Sequence, residues 1–277
     1  TPSASSAASD VYKRQGLAWA KRMFPDLAED DAQNRLSEAI FMASRVNAED
    51  PVASWKTHNQ TLKEKREWLN QKDFKEIHFK GPGTDLKVGL ADDHEWMGGA
   101  SMAQNGVICN PNIPSEEVFT TPHALRVEGY VSSTKPLSHQ GTLIDNIRVV
   151  FEKGSITDAK ASKGETVLKK VLESDEGARR LGEVALVPNS SPISNSGLLF
   201  YNTLFDENAA CHIALGQCYS KCFKGETNLS TSEIRERGGN SSMIHIDWMI
   251  GSGEIDIDGF GKNGEIVPIF RKGEWVD

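Results

Sequence analysis

The hydrophobic period of this chain changes near residue 73, and that change constrains its fold more than any other feature. Between 17 and 72 apolar residues recur at three- and four-residue intervals. "AQNRLSEAIFMASRV" sets Leu36, Ala39, Ile40, Ala43 and Val46 on one stripe, the spacing that turns one face of an α-helix inward. In "PVASWKTHNQTLKEKREWLNQ", Pro51 after Asp50 makes an N-cap and first-turn pair, and Leu62, Trp68 and Leu69 supply the buried side. From 74 the period becomes two. "FKEIHFKG" and "TDLKVGLA" predict short strands around the turn Gly81, Pro82, Gly83, and "ALRVEGYVSS", "TLIDNIRVVFEKG" and "SITDAKASKG" predict three more. "ETVLKKVLESDEGARRLG" predicts one or two helices, then the apolar strand "EVALVP"; "MIHIDWMIG", "GEIDIDGFG" and "GEIVPIFRKGEWV" close the chain as strands.

The expected class is therefore α+β (mixed α/β), a largely antiparallel sheet domain with an N-terminal helical segment. Three regions are expected. Residues 1–15, "TPSASSAASDVYKRQ", are small and polar without a hydrophobic period, and are set aside as a non-native or disordered leader. Residues 16–73 are helical, and 74–277 are rich in strands.

A chain of 277 residues that is 38% hydrophobic can bury a substantial core. Its net charge of −8, with the two signs interspersed, argues against a nucleic acid or an anionic membrane as partner and leaves divalent cations as the natural charged ligands. No apolar run approaches the ~18 residues that span a bilayer, and no basic end joins an apolar centre at the start, so a cytoplasmic location is the default. Cys109, Cys211, Cys218 and Cys222 are too sparse for a disulfide framework and read as reduced thiols. Cys211, His212, Cys218 and Cys222 imitate a zinc knuckle, but their spacing is irregular and lacks a paired CxxC.

Four stretches offer metal-type ligands: "NPNIPSEEVFTTPH" with Glu116, Glu117 and His123; "GEVALVPNSSPIS" with Glu183; "LFDENAACHIALG" with Asp206, Glu207 and His212; and "IHIDWMIG" with His245 and Asp247. On a strand, His245 and Asp247 share one face and Ile244, Ile246 and Trp248 the other. Such a pair can hold one metal ion or form a plain His–Asp hydrogen bond. Glu183 follows Gly182 at the start of an apolar strand, where a buried carboxylate is costly without a cation or a donor. Each residue alone reads as structural. Together, three carboxylates and two imidazoles suit two divalent ions a few ångströms apart, with one carboxylate bridging. Spacing alone neither shows that they converge nor selects these five from the other acids and histidines.

At these motifs the sequence resembles the thermophilic-type metallo-aminopeptidases, the family of aminopeptidases T and S. The matching stretches are "NPNIPSEEVFTTPH", "GEVALVPNSSPIS", "LFYNTLFDENAACHIALG" and "NSSMIHIDWMIGSGEIDIDG", in the family's order. The resemblance implies that Glu117, Glu183, His212, His245 and Asp247 ligate two divalent ions (zinc, cobalt or manganese, magnesium less readily), and that Tyr219 in "ALGQCYSKC" is an active-site tyrosine able to donate to an oxyanion. A packed aromatic with a satisfied hydroxyl is the other reading of Tyr219. The implied reaction is hydrolysis of the N-terminal peptide bond of peptides through a two-metal-activated water, in a homodimer whose partner helps to enclose the site. Glu116 is the expected proton-accepting carboxylate, its neighbour Glu117 being committed to metal. Glu116 and His123 lie beside the site by sequence, and Asp206 or Glu207 is expected to orient a ligand histidine.

The family carries a further amino-terminal α/β domain ahead of the matched region. Residues 16–73 then read as the helical remnant of the interdomain region, 74–277 as the metal-binding catalytic domain, and the chain as a truncated product. A truncated, catalytically inert metal-binding relative is the alternative of another class, although keeping all five ligands favours catalysis. A paired-carboxylate glycosidase using Glu116 or Glu117 with Glu183 leaves His212, His245 and Asp247 unexplained.

Overall fold

The computed structural model describes residues 16–225 and 229–276; the proposed leader, 1–15, lies outside the described residues. Three helices come first: α1 (16–23), α2 (Glu29–Ala43) and α3 (Pro51–Lys72). Helix α3 begins where its sequence places it, with Pro51 in its first turn and the Asp50 carboxylate accepting from the Ala53 N–H at 2.9 Å. Helix α2 stops before the expected stripe does. Arg45 turns into the left-handed region at φ 58°, so Val46 leaves the helix and is 49% exposed.

The strands follow as β1 (Glu76–Gly81), β2 (Thr84–Leu90), β3 (Ser101–Met102), β4 (Ile108–Cys109), β5 (Val118–Thr120), β6 (Pro122–Ser132), β7 (Leu137–His139), β8 (Thr142–Ile144), β9 (Arg148–Glu152) and β10 (Ser155–Lys160). After helix α4 (Glu165–Leu172) comes β11 (Leu181–Leu186), then the short helices α5 (Pro192–Ser196) and α6 (Thr203–Asp206), β12 (His212–Gly216) and α7 (Thr231–Glu236). Strands β13 (His245–Met249), β14 (Asp256–Phe260), β15 (Ile266–Arg271) and β16 (Glu274–Trp275) complete the described chain. The fold is mixed α/β with antiparallel sheets, as expected. "TLIDNIRVVFEKG" differs from its reading as one strand: Asn146, at φ 50°, separates β8 from β9, and the two join different sheets.

Eight strands form one sheet in the order β10-β9-β6-β2-β1-β14-β15-β16, and four form a second in the order β13-β12-β11-β5. Ile77 and Phe79 of β1 and Leu86 and Val88 of β2 point into one core with Leu62 and Leu69 of α3, the small sheet adding Val184, Leu186, Ile213, Leu215 and Trp248. Burying each such side chain contributes about 1.5–3 kcal/mol. A one-residue slip in the small sheet would send these residues to the opposite face, so its register is strongly specified. That register decides where the site lies.

Candidate metal centre

In the small sheet, β11 pairs with β12 through Glu183↔Ala214 and Ala185↔His212, and β12 pairs with β13 through Ala214↔Asp247 and Gly216↔His245. Antiparallel partners share a face. Glu183, His212, His245 and Asp247 therefore rise from the side opposite Ile213, Leu215 and Trp248, with only Ala185, Ala214 and Gly216 between them. A bulge between Leu181 and Glu183 brings the carboxylate into this row, so Glu183 lies inside β11 and not at its start. Gly216 is required here: at φ 101° its missing Cβ would stand 2.1 Å from the Ile244 carbonyl oxygen. Glu117 enters from the residue before β5.

The five side chains meet as two triads. Glu117, Glu183 and His212 form one, and Glu183, His245 and Asp247 the other; in each, one ligand atom per residue lies within 4.8 Å of the rest. Glu183 belongs to both. Its Oε1 is 3.7 Å from His212 Nε2 and its Oε2 is 3.6 Å from His245 Nε2, while Asp247 Oδ1 is 3.3 Å from that same nitrogen. Glu183 is thus shaped as a bridge.

Three observations fit this set to cations. His212 Nδ1 lies 3.2 Å from the Ala210 carbonyl oxygen and His245 Nδ1 2.7 Å from that of Gln217. A carbonyl only accepts, so each Nδ1 carries a proton, and Nε2 is the nitrogen that can turn a lone pair to a cation in exchange for its own proton. Backbone carbonyls orient the histidines, in place of the expected Asp206 or Glu207. Glu117 Oε2, 3.1 Å from His212 Nε2, is buried without a hydrogen-bond partner among the described residues.

Finally, the acids crowd one another. Burial, then the charges of Glu117 and Asp247, push Glu183 up to about 7, and burial with the charge of Glu117 pushes Glu207 up to about 9. Burial pulls His245 down, but Asp247 outweighs it and lifts the imidazole to about 9. His212 stands well above its ordinary value because Glu117 and Glu183 outweigh its burial. Divalent cations would relieve this repulsion.

About 90 Å³ of cavity, the volume of a few waters, remains beside the ligands, and its wall includes Glu117, Glu183, His245, Asp247, Phe119, Tyr219, Lys221 and Glu207. The Tyr219 ring lies 4.8 Å from that of His245, centroid to centroid. Glu207, in the 3-10 turn Glu207–Ala209, faces the site as a further carboxylate. Its sequence signal, an acid just before "NAACHIALG", suggested only an orienting role.

Glu116 does not stand on that wall. Both its oxygens accept from Arg45: Nη1 pairs with Oε1, and Nη2 lies 2.8 Å from Oε2. His58 Nε2 donates to the Ser115 carbonyl at 2.7 Å, and its Nδ1 faces Arg45 Nη2 at 3.2 Å. The Glu116 N–H donates to Asn208 Oδ1 at 2.6 Å. Consecutive residues entering a strand point to opposite sides, so Glu117 faces the cavity while Glu116 is locked to the helices. This corrects its expected part as proton acceptor. The knot fastens the loop of Glu117 to the turn after α2, to α3 and to the turn of Glu207.

His123 lies outside this cavity, against Gly238 and Arg235 in a separate hollow. Asp206 spends its oxygens on the N–H groups of Phe200 and Asn202, at 2.7 and 3.0 Å. Cys211, Cys218 and Cys222 are buried free thiols, and none joins a ligand group among the described residues. His212 groups with Glu117 and Glu183, and no knuckle forms there among the described residues.

The profile described as thermophilic metalloprotease (M29) matches residues 12–275. The chain belongs to this family. It is 55% identical to aminopeptidase T of Thermus aquaticus over 258 residues, which are 93% of this chain and 63% of that protein. Aminopeptidase 2 of Geobacillus stearothermophilus is 49% identical over 259 residues, 94% of this chain and 63% of that protein. The solved structure of wild-type AmpT from Thermus thermophilus matches with a TM-score of 0.87 at 52% identity, covering 94% of this chain and 62% of that one. The chain thus spans about 63% of the length of these curated relatives. No helix among the described residues is long and apolar enough to cross a membrane.

For this M29 chain the raised values carry a sign. An acid lifted in the folded state keeps a proton that the unfolded chain has released, so its contribution is full below the unfolded value and is lost as pH rises through the folded one. Glu183 loses it between 4.5 and about 7, and Glu207 between 4.5 and about 9. His245, raised from 6.5 to about 9, loses its contribution over the same upper window. Chelator-treated protein should therefore melt at falling temperature from about pH 6 to about pH 8.5, by more than about 5 °C. Added cobalt or zinc should raise the midpoint most at the upper end, because it displaces those protons. Melting that ignores both pH and metal would contradict this.

Proposed function

We propose that this chain is a metal-dependent aminopeptidase that hydrolyses the N-terminal peptide bond of peptides. The observation carrying this reading is the pair of triads that share Glu183, with both imidazole Nε2 atoms turned toward them. Glu117, Glu183 and His212 would hold one ion, and Glu183, His245 and Asp247 the other. Two imidazoles with three carboxylates suit zinc, cobalt or manganese, and magnesium less readily. When bound, such ions supply Lewis acidity to a scissile carbonyl and make a neighbouring water acidic enough to react near neutral pH.

The remaining steps fall to the chain's own side chains. Glu207, on the cavity wall and not among the triads, would accept a proton from water and return it to the leaving amine once bound cations lower its raised value. Tyr219 brings a phenol to the same wall, where its hydroxyl can donate to a developing oxyanion. Its half-exposed ring lies tilted against His245, 4.8 Å away between centroids. The carboxylate-rich wall suits a substrate with a free ammonium. The relatives' names support this class of substrate: aminopeptidase T of Thermus aquaticus and aminopeptidase 2 of Geobacillus stearothermophilus both carry it.

Hydrolysis of leucine p-nitroanilide by the purified chain tests the reading. Turnover should vanish with chelator and return with cobalt or zinc; absence of turnover with every metal, or indifference to chelator, would overturn it. Tyr219→Phe should lower kcat by about 10²-fold and leave KM nearly as it was, the pattern of a donor used only in the transition state. Full kcat in that variant would remove Tyr219 from the chemistry.

A further inference from the structure

We propose that Lys221 reads the C-terminal carboxylate of a di- or tripeptide substrate, an assignment that rests on the aminopeptidase reading above. Lys221 is the one lysine or arginine among the described residues of the cavity wall, set against the acids Glu117, Glu183, Glu207 and Asp247. It is exposed, whereas Glu183 and Asp247 are buried. Its ammonium lies 4.9 Å over the Phe119 ring and 5.2 Å over that of Tyr219. Those two rings hold the charge in place without neutralising it, and among the described residues no carboxylate lies within ion-pair distance of it. The 3-10 turn Ser220–Cys222 and the buried Cys222 anchor its backbone.

The cavity is thus polarised, acidic within and cationic at one edge. A short peptide is a zwitterion of matching sense: its ammonium seeks the carboxylates and its carboxylate the free ammonium. Length limits which peptides can satisfy both ends. The Tyr219 ring is 4.8 Å from that of His245, so Lys221 Nζ, 5.2 Å from the Tyr219 ring, stands at most about 10 Å from the His245 imidazole. An extended chain advances about 3.3–3.6 Å per residue. One residue beyond the scissile bond therefore carries the terminal carboxylate about 3.5 Å outward, and two carry it about 7 Å. A longer peptide takes its carboxylate past Lys221.

The experiment compares leucylglycine with leucylglycinamide, which differ only in that charge, on the full chain loaded with cobalt. Wild type should show a KM about fivefold lower for the acid than for the amide, the scale of one exposed charge pair. Lys221→Met should abolish that preference by raising KM for the acid, and Lys221→Arg should retain it. Calorimetric binding of the two reduced-bond analogues, in which CH2–NH replaces the peptide bond, reads the same ratio without turnover. Equal KM for acid and amide in wild type would overturn the assignment. So would a parallel loss on both substrates in Lys221→Met, which would place the ammonium on the peptide carbonyl. If neither substrate is hydrolysed the aminopeptidase reading fails, while the calorimetric comparison still decides on Lys221.

Discussion

Glu183→Gln should empty both ion positions, whereas His245→Ala should empty one. The expected results are metal content near zero in the first variant and close to half the wild-type content in the second, with turnover lost by at least about 10³-fold in both. A group that only orients a ligand typically costs 10–100-fold, so a loss of that lesser size would demote Glu183. The asymmetry follows from geometry: Glu183 turns Oε1 toward His212 and Oε2 toward His245, and no other described residue belongs to both triads. Neither change should unfold the chain. Glu183 stands opposite Ala214, away from the core face of the sheet, and removing its charge relieves the repulsion that burial and Glu117 impose on it. Far-ultraviolet circular dichroism should therefore match wild type. Loss of metal accompanied by loss of fold would leave the bridge unsupported.

Arg45→Met should be among the most destabilising single changes at the surface of the site. It strips Glu116, whose side chain is 3% exposed, of the guanidinium that satisfies both its oxygens. Breaking a buried pair from one side costs about 3–5 kcal/mol, because the remaining charge is left uncompensated. Arg45→Met with Glu116→Gln should recover part of that cost, since an amide is far cheaper to bury than a lone carboxylate. Urea denaturation measures both. A loss under about 1 kcal/mol in the single variant, in the range of a solvated surface pair, would show that the knot does not hold the Glu117 loop to the helices.

Local signals in the sequence carried the elements well and the contacts between them poorly. Asp50 and Pro51 mark the start of α3 because a cap depends on neighbours a few residues away. The alternation in "IHIDW" correctly pairs His245 with Asp247 and sets Trp248 on the buried face, since a strand's period is a local property. Whether that pair was structural or ligating depended on Glu183, and Glu183 reaches them through a bulge and a register with Ala214 that no local pattern encodes. Glu116 and Glu117 illustrate the same limit. They are adjacent and chemically alike, and Arg45, 71 residues earlier, takes up the Glu116 carboxylate while that of Glu117 lines the cavity. Val46 fits a helical stripe by spacing, yet Arg45 leaves the helix to reach Glu116, and the stripe ends with it. Glu207 and Lys221 had no periodic signal; they are brought to the cavity by a 3-10 turn each. The motif resemblance named five candidate ligands, and the geometry adds which carboxylate the two triads share.

Anomalous diffraction from crystals of the full chain soaked in cobalt or zinc tests the central claim most directly. The account predicts two peaks per chain, roughly 3.5–4 Å apart, on either side of the Glu183 carboxylate, one beside His212 and Glu117 and the other beside His245 and Asp247. A single peak, or two that do not share Glu183, would contradict it.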